Sequence, residues 1–206
     1  IFDNVSEIIQ EANVRIFGML LGSLIILGIG IYDDLKGASP LVKLIFQTAA
    51  TVVVYYFGFQ IPAINTPFGI INFGIFTFPA TWLWIVGATN AINLIDGMDG
   101  LATGVSLVAS MTMFFLAAMT GSWLVAIPLA ALAGAAAGFL LYNFHPASIF
   151  LGDTGSLVLG FLLSCMALLS SYRHAAVGLA IPLIIFALPI SDTMLAVLRR
   201  WSRRMP

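Results

Sequence analysis

Charge is what this sequence has least of. Charged residues make up 8% of 206 positions, where a soluble domain carries about 25%. Hydrophobic residues make up 61%, and the mean hydropathy is +1.07. An ordinary soluble domain is excluded. Eight Lys and Arg face nine Asp and Glu, and no nucleic-acid partner is expected. Cysteine is nearly absent too: Cys165 stands alone in an apolar run, so no internal disulfide can form and it reads as a small packing residue. With two histidines and one cysteine, a metal centre built on soft or imidazole ligands has little to draw on. No secretory leader is visible and the first residue is Ile1, so a segment of a longer protein is expected.

What is abundant is uncharged apolar sequence. Seven such segments run over 16–32, 41–57, 76–92, 101–119, 123–142, 155–171 and 176–198, and a helix crosses a bilayer with roughly 20 residues. The fold class is an all-α polytopic membrane protein with about seven transmembrane helices, read as one domain over 1–206. Ahead of the first segment, Val5, Ile8, Ile9, Ala12 and Ile16 share one helical face, which predicts an interfacial or extended lead-in helix. Between the second and third, FQIPAINTPFGIINFGIF is broken by proline and glycine and partly alternates, which predicts a hairpin-like loop.

Alternating the crossings brings the connections 33–40, 93–100, 143–154 and the C-terminal tail to one side. Asp33, Asp34, Asp96, Asp99 and Asp153 all fall there, with Asp192 nearby. Lys36, Lys43, Arg199, Arg200, Arg203 and Arg204 also collect there, leaving Arg15 and Arg173 opposite. The positive-inside rule makes that side cytoplasmic, so a multi-pass protein of the cytoplasmic (inner) membrane with its polar site on the cytoplasmic face is expected. Singly, each aspartate could be an ordinary helix-end residue, because a charge at the bilayer centre costs about 2.5–3.5 kcal/mol. Five in Gly/Asn settings on one face imply a shared polyanionic site.

Gathered carboxylates repel unless a cation lies among them, and hard oxygen donors point to Mg2+, with Mn2+ able to substitute. In GIYDDLKGASPLVK, adjacent Asp33 and Asp34 point about 100° apart on a helix, so they cannot do the same job. Lys43 is either a phosphate partner or a snorkelling interfacial lysine. In NAINLIDGMDGLATG, steps of three join Asn90, Asn93, Asp96 and Asp99 into a polar row if the helix continues, while Gly97 and Gly100 interrupt it or admit a ligand. Interhelical packing is the plainer reading of the asparagines. In YNFHPASIFLGDTGSLVLGF, Asp153 opens the sixth helix, where free N–H groups favour an anion, and it is otherwise an N-cap. His145 reads as interfacial, and His174 falls on the opposite face. The spacings Gly18–Gly22 and Gly134–Gly138 suit helix packing first and a homodimer contact second. The chemistry these residues suggest is a magnesium-dependent reaction on a phosphorylated substrate at a membrane surface, with a lipid reactant. The competing class is an ion-coupled transporter, which would place its polar residues nearer the midplane.

These motifs, from the DD pair through NAINLIDGMDGLATG and YNFHPASIFLGDTGS to PISDT…RR, resemble the polyprenyl-phosphate N-acetylhexosamine-1-phosphate transferases over roughly Ile25 to Arg204. The resemblance implies transfer of a sugar-1-phosphate from a UDP-N-acetylhexosamine to undecaprenyl phosphate with release of UMP, starting teichoic acid, O-antigen, lipopolysaccharide or peptidoglycan intermediates. It implies Asp153 as main metal ligand with Asn93 contributing, and Asp96 and Asp99 as nucleotide-site and charge-organising residues. Asp33 would face the lipid phosphate, Asp34 and Lys43 would support phosphate and metal, and Asn90 and Asn143 would lie along the substrate. INLIDGMDGLA and FLGDTGS resemble the UDP-GlcNAc branch more than the phospho-MurNAc-pentapeptide branch. The family usually has about ten helices, so roughly two N-terminal helices and a His-rich loop with the last helices are expected outside this stretch.

Overall fold

The computed structural model describes residues 2–66 and 69–171. Six α-helices follow one another: α1 (Phe2–Lys36), α2 (Pro40–Tyr56), α3 (Thr77–Ile95), α4 (Leu101–Met119), α5 (Trp123–Asn143) and α6 (Gly152–Ser171). Five carry spans long and apolar enough to cross a membrane, and α2 is apolar with 17 residues. At 1.5 Å per residue α2 spans about 26 Å, near the lower limit for a crossing. The protein is an all-α polytopic membrane protein. The seventh apolar segment, with Arg173, His174, Asp192 and the Arg199–Arg204 cluster, lies outside the described residues.

The expected lead-in helix and first crossing are one uninterrupted helix of 35 residues. Nothing in that stretch, neither proline nor glycine pair, stops the backbone ladder before Gly37. At Gly37 the backbone turns left-handed, with φ 72°, and its N–H donates to Asp33 O at 2.7 Å. Ser39 then caps α2, its Oγ accepting from Val42 N at 3.4 Å, with Pro40 at the helix start. This tight reversal returns Lys43 to the end of α1. The hairpin-like loop is a two-stranded antiparallel ribbon, β1 (Ala63–Thr66) and β2 (Gly69–Asn72), with Ala63 opposite Asn72 and Thr66 opposite Gly69.

Helix α6 is the centre of the bundle. Leu157, Phe161, Leu163, Cys165, Met166, Ala167 and Leu168 point around the helix and are all buried, so its surroundings are protein on most sides. Small residues let neighbouring backbones close on it. A Cβ on Gly160 would come within 2.8 Å of Thr89 Cα on α3, and one on Gly30 within 2.6 Å of Thr154 Cα. Gly18 and Gly22 of α1 serve the same end: a Cβ there would strike Phe57, and Phe161 with Val54, respectively. Their spacing is internal packing. Gly134 and Gly138 on α5 meet nothing within 4 Å among the described residues.

Candidate active site

Three chain segments meet where α1 ends, α2 begins and α6 begins. Lys43, one turn into α2, donates to Asp33 Oδ2 at 2.9 Å and forms a second, very short ion pair with Asp153 Oδ2. Asp33 Oδ1 accepts from Ala38 N at 2.5 Å. Asp34 turns the other way, as adjacent helical positions must. Its Oδ1 accepts from Asp153 N at 2.9 Å, and its Oδ2 from Thr154 N at 3.0 Å and Thr154 Oγ1 at 2.5 Å. Carboxylate oxygens of Asp33, Asp34 and Asp153 all lie within 4.8 Å of one another.

The start of α6 is thus an anion site, as expected, and the anion it holds is Asp34. A substrate phosphate at this junction would meet Lys43 instead.

Helix α3 approaches from the other side. Asn93 Nδ2 donates to Ser156 Oγ at 2.9 Å, and Ser156 Oγ donates back to Gly152 O at 2.8 Å. The helix ends at Ile95, so Asp96 leaves the row and Asp99 lies in the turn before α4. Gly100, at φ 74°, makes that turn possible. Among the described residues none donates a hydrogen bond to the Asp96 side chain. Burial, followed by the charges of Asp153 and Asp34, pushes its carboxyl up to about 6.

Asp99 organises the segment leading to α6. It accepts from Ala147 N at 3.1 Å and meets His145 Nδ1 at 2.9 Å, contacts that hold its carboxyl below the usual range. His145 is 80% exposed, in keeping with an interfacial rather than catalytic residue. Asn143 is buried in the same segment: its Oδ1 accepts from Thr103 Oγ1 at 2.8 Å and its Nδ2 donates to Ile149 O at 3.0 Å. Asn90 lies one turn deeper than Asn93 and exchanges two hydrogen bonds with Gln47, at 2.7 and 3.2 Å, while also donating to Val86 O at 2.8 Å. Asn90 and Asn143 therefore hold elements together, and Asp33, Asp34, Lys43, Asp153 and Asp96 form the charged cluster with Asn93 beside it. Gln47, Thr154 and Ser156 were missed in the sequence. Gln47 carried a signal, as a polar side chain in an apolar helix four residues beyond Lys43.

The donor set fits a hard divalent cation: three aspartates, each with a carboxylate oxygen within 4.8 Å of the others, with no sulfur and no imidazole among them.

The family model for glycosyl transferase family 4 matches residues 16–171. The chain belongs to this family. It is 40% identical over 195 residues to a probable undecaprenyl-phosphate N-acetylglucosaminyl 1-phosphate transferase of Bacillus subtilis, covering 93% of this chain and 54% of that protein. It is also 40% identical over 173 residues to a phospho-N-acetylmuramoyl-pentapeptide-transferase of Leuconostoc mesenteroides, covering 79% of this chain and 49% of that one. A phospho-N-acetylmuramoyl-pentapeptide-transferase of Rubrobacter xylanophilus is 35% identical over 184 residues, 79% of this chain and 56% of the relative. The chain spans about half the length of the curated relatives it matches. For this family 4 glycosyl transferase, the charged cluster falls wholly inside the matched region.

Proposed function

We propose that residues 1–206 form one transmembrane catalytic unit, part of an enzyme that moves N-acetylhexosamine-1-phosphate from a UDP-sugar to undecaprenyl phosphate and releases UMP. The site faces the cytoplasm across the inner membrane, and GlcNAc is the sugar. The observation that carries this reading is Lys43 bridging Asp33 and Asp153. One fixed cation inside a cage of carboxylates, at the ends of apolar helices, suits two phosphorylated reactants of which one is a lipid. A transporter would be expected to gather its polar residues nearer mid-membrane.

The chain's own residues divide the work. Asp153 and Asp33, with Asn93 beside them, would hold Mg2+, or Mn2+ in its place. When bound, that ion supplies positive charge that lets two anionic phosphates approach. Lys43 is a point charge that can exchange a carboxylate for a substrate phosphate oxygen. Asp33 already accepts hydrogen bonds on both oxygens, which makes it a poor nucleophile and favours direct attack by the lipid phosphate. That phosphate needs little activation, since a monoester's second pKa lies near 6. Asp99 borders the opening where a nucleotide would lie, with Met98, Gly100, Leu101, Phe144 and His145 lining it, and Asp96 would act on the nucleotide side as a charge-organising residue. Orienting both reactants in line is the main catalytic task.

Membranes holding the full-length protein, given undecaprenyl phosphate and Mg2+, test the donor. Labelled UDP-GlcNAc should yield lipid-linked label. The specific observation favouring the other branch is the likeness to two pentapeptide transferases, and label entering lipid only from UDP-MurNAc-pentapeptide would establish it. No label from any UDP-sugar would end the transferase reading.

A further inference from the structure

We infer that Asp34 is a positioning residue: it caps α6 from the end of α1 and aims Asp153 at Lys43. The first N–H groups of a helix have no partner within it, and the residue before the helix usually supplies one. Here that residue is Leu151, whose side chain has no oxygen. Asp34 supplies it instead, from 119 residues away in the chain, taking both Asp153 N and Thr154 N. Thr154 Oγ1 adds a third hydrogen bond to the carboxylate, so Oδ2 holds two donors and Oδ1 one.

Two glycines are shaped to this contact. A Cβ on Gly152 would lie 2.8 Å from Asp34 Oδ2 and 3.0 Å from Oδ1, and the residue sits at φ 66°. Gly30, one turn before Asp34 on α1, brings the helices so close that its Cβ would fall 2.6 Å from Thr154 Cα. Only at that separation does a side chain as short as aspartate reach the α6 backbone. Asp153 is the second residue of α6, so its direction follows the helix start that Asp34 pins.

The inference deepens the proposed reaction, and its first test needs no turnover. Unfolding of the purified full-length protein is followed in EDTA without substrates. A carboxylate that only waits for a metal repels Asp33 and Asp153, so removing it would raise the unfolding temperature. A cap gives the opposite sign: Asp34→Ala lowers it, and Asp34→Asn, which keeps one acceptor oxygen, lowers it less. An Asp34→Ala protein as stable as the parent, or more so, overturns the inference. The second test uses activity in Asp34→Asn, Thr154→Val and the double variant. Because both act through one junction, the double variant should fall within about threefold of the worse single one, and the half-saturating Mg2+ concentration in Asp34→Asn should rise by about 10–100-fold, as for other residues that orient a ligand. Losses that multiply, or an unchanged Mg2+ requirement, overturn it. If the parent transfers no label, the reaction reading fails while the unfolding test still decides the cap.

Discussion

Lys43 and Asp153 stand 110 residues apart in the chain and share an ion pair. Asp33, ten residues before Lys43, holds the same ammonium group. One lysine therefore ties the first helical turn-back to the start of the most buried helix.

Removing that lysine leaves carboxylates within 4.8 Å of one another with no cation between them among the described residues. Lys43→Met should lower the stability of the EDTA-treated protein by about 1–2 kcal/mol, an ordinary loss for a partly exposed pair with charged hydrogen bonds. Millimolar Mg2+ should recover part of it. Transfer should fall by about two orders of magnitude or more, as for other fixed charges on a phosphoryl site. Thermal unfolding with and without Mg2+, beside the label assay, checks both.

Asp96 gives a pH signature. Its folded pKa, about 6, lies above the usual carboxylate value of 3.8, so between these values the folded state binds the proton that the unfolded state has lost. Stability of the metal-free protein should fall as pH rises through that window, and the deficit is full above it. Asp96→Asn should then unfold at a higher temperature than the parent at pH 8 and at the same temperature near pH 4. With the group half-exposed, solvent screening keeps the gain to about 1 kcal/mol. Equal unfolding temperatures at pH 8 would show that Asp96 is not held at a cost.

Gln47 and Asn90 form a reciprocal pair between α2 and α3, one turn from Lys43 and Asn93 respectively. Gln47→Ala leaves the partly buried Asn90 carboxamide short of partners, which costs on the order of 1 kcal/mol. It should lower kcat more than it raises KM for the UDP-sugar, because it loosens Lys43 without touching substrate. Gln47→Leu with Asn90→Leu should restore most of the stability. Steady-state kinetics and unfolding of these variants decide it.

Topology can be read with thiol labels. Cys165 is fully buried, so cysteines introduced at Ser39 and Ser148 report alone. Both lie in connections on the Asp33 and Asp153 side of the bundle. Impermeant reagent should reach them from the cytoplasm and not from the opposite side.

Much of this was legible in the residues because apolar length and charge position are strong, local signals. The six described helices, the Ala63–Asn72 hairpin and the meeting of Asp33, Asp34 and Asp153 all follow from them. What was hidden depends on partners distant in the chain. Nothing in GDTGS says that its helix start is filled by Asp34, and nothing in NAINLID says that Asn90 turns to Gln47 while Asn93 turns to Ser156. The polar row through Asp96 and Asp99 required the helix to continue, and of the two readings the interruption is the one found. The helix stops at Ile95, and Gly100 at positive φ redirects the chain. The lead-in helix merged with the first crossing because no residue between them breaks it.

The account stands or falls on the acidic cluster working through a divalent cation. The most direct measurement is transfer of label from UDP-GlcNAc to undecaprenyl phosphate by full-length protein across a Mg2+ titration, for the parent and Asp153→Asn. The account predicts that EDTA abolishes transfer, that Mg2+ or Mn2+ restores it, and that Asp153→Asn stays lower by orders of magnitude at every concentration. Transfer that persists in EDTA, or an Asp153→Asn titration that overlays the parent's, would contradict it.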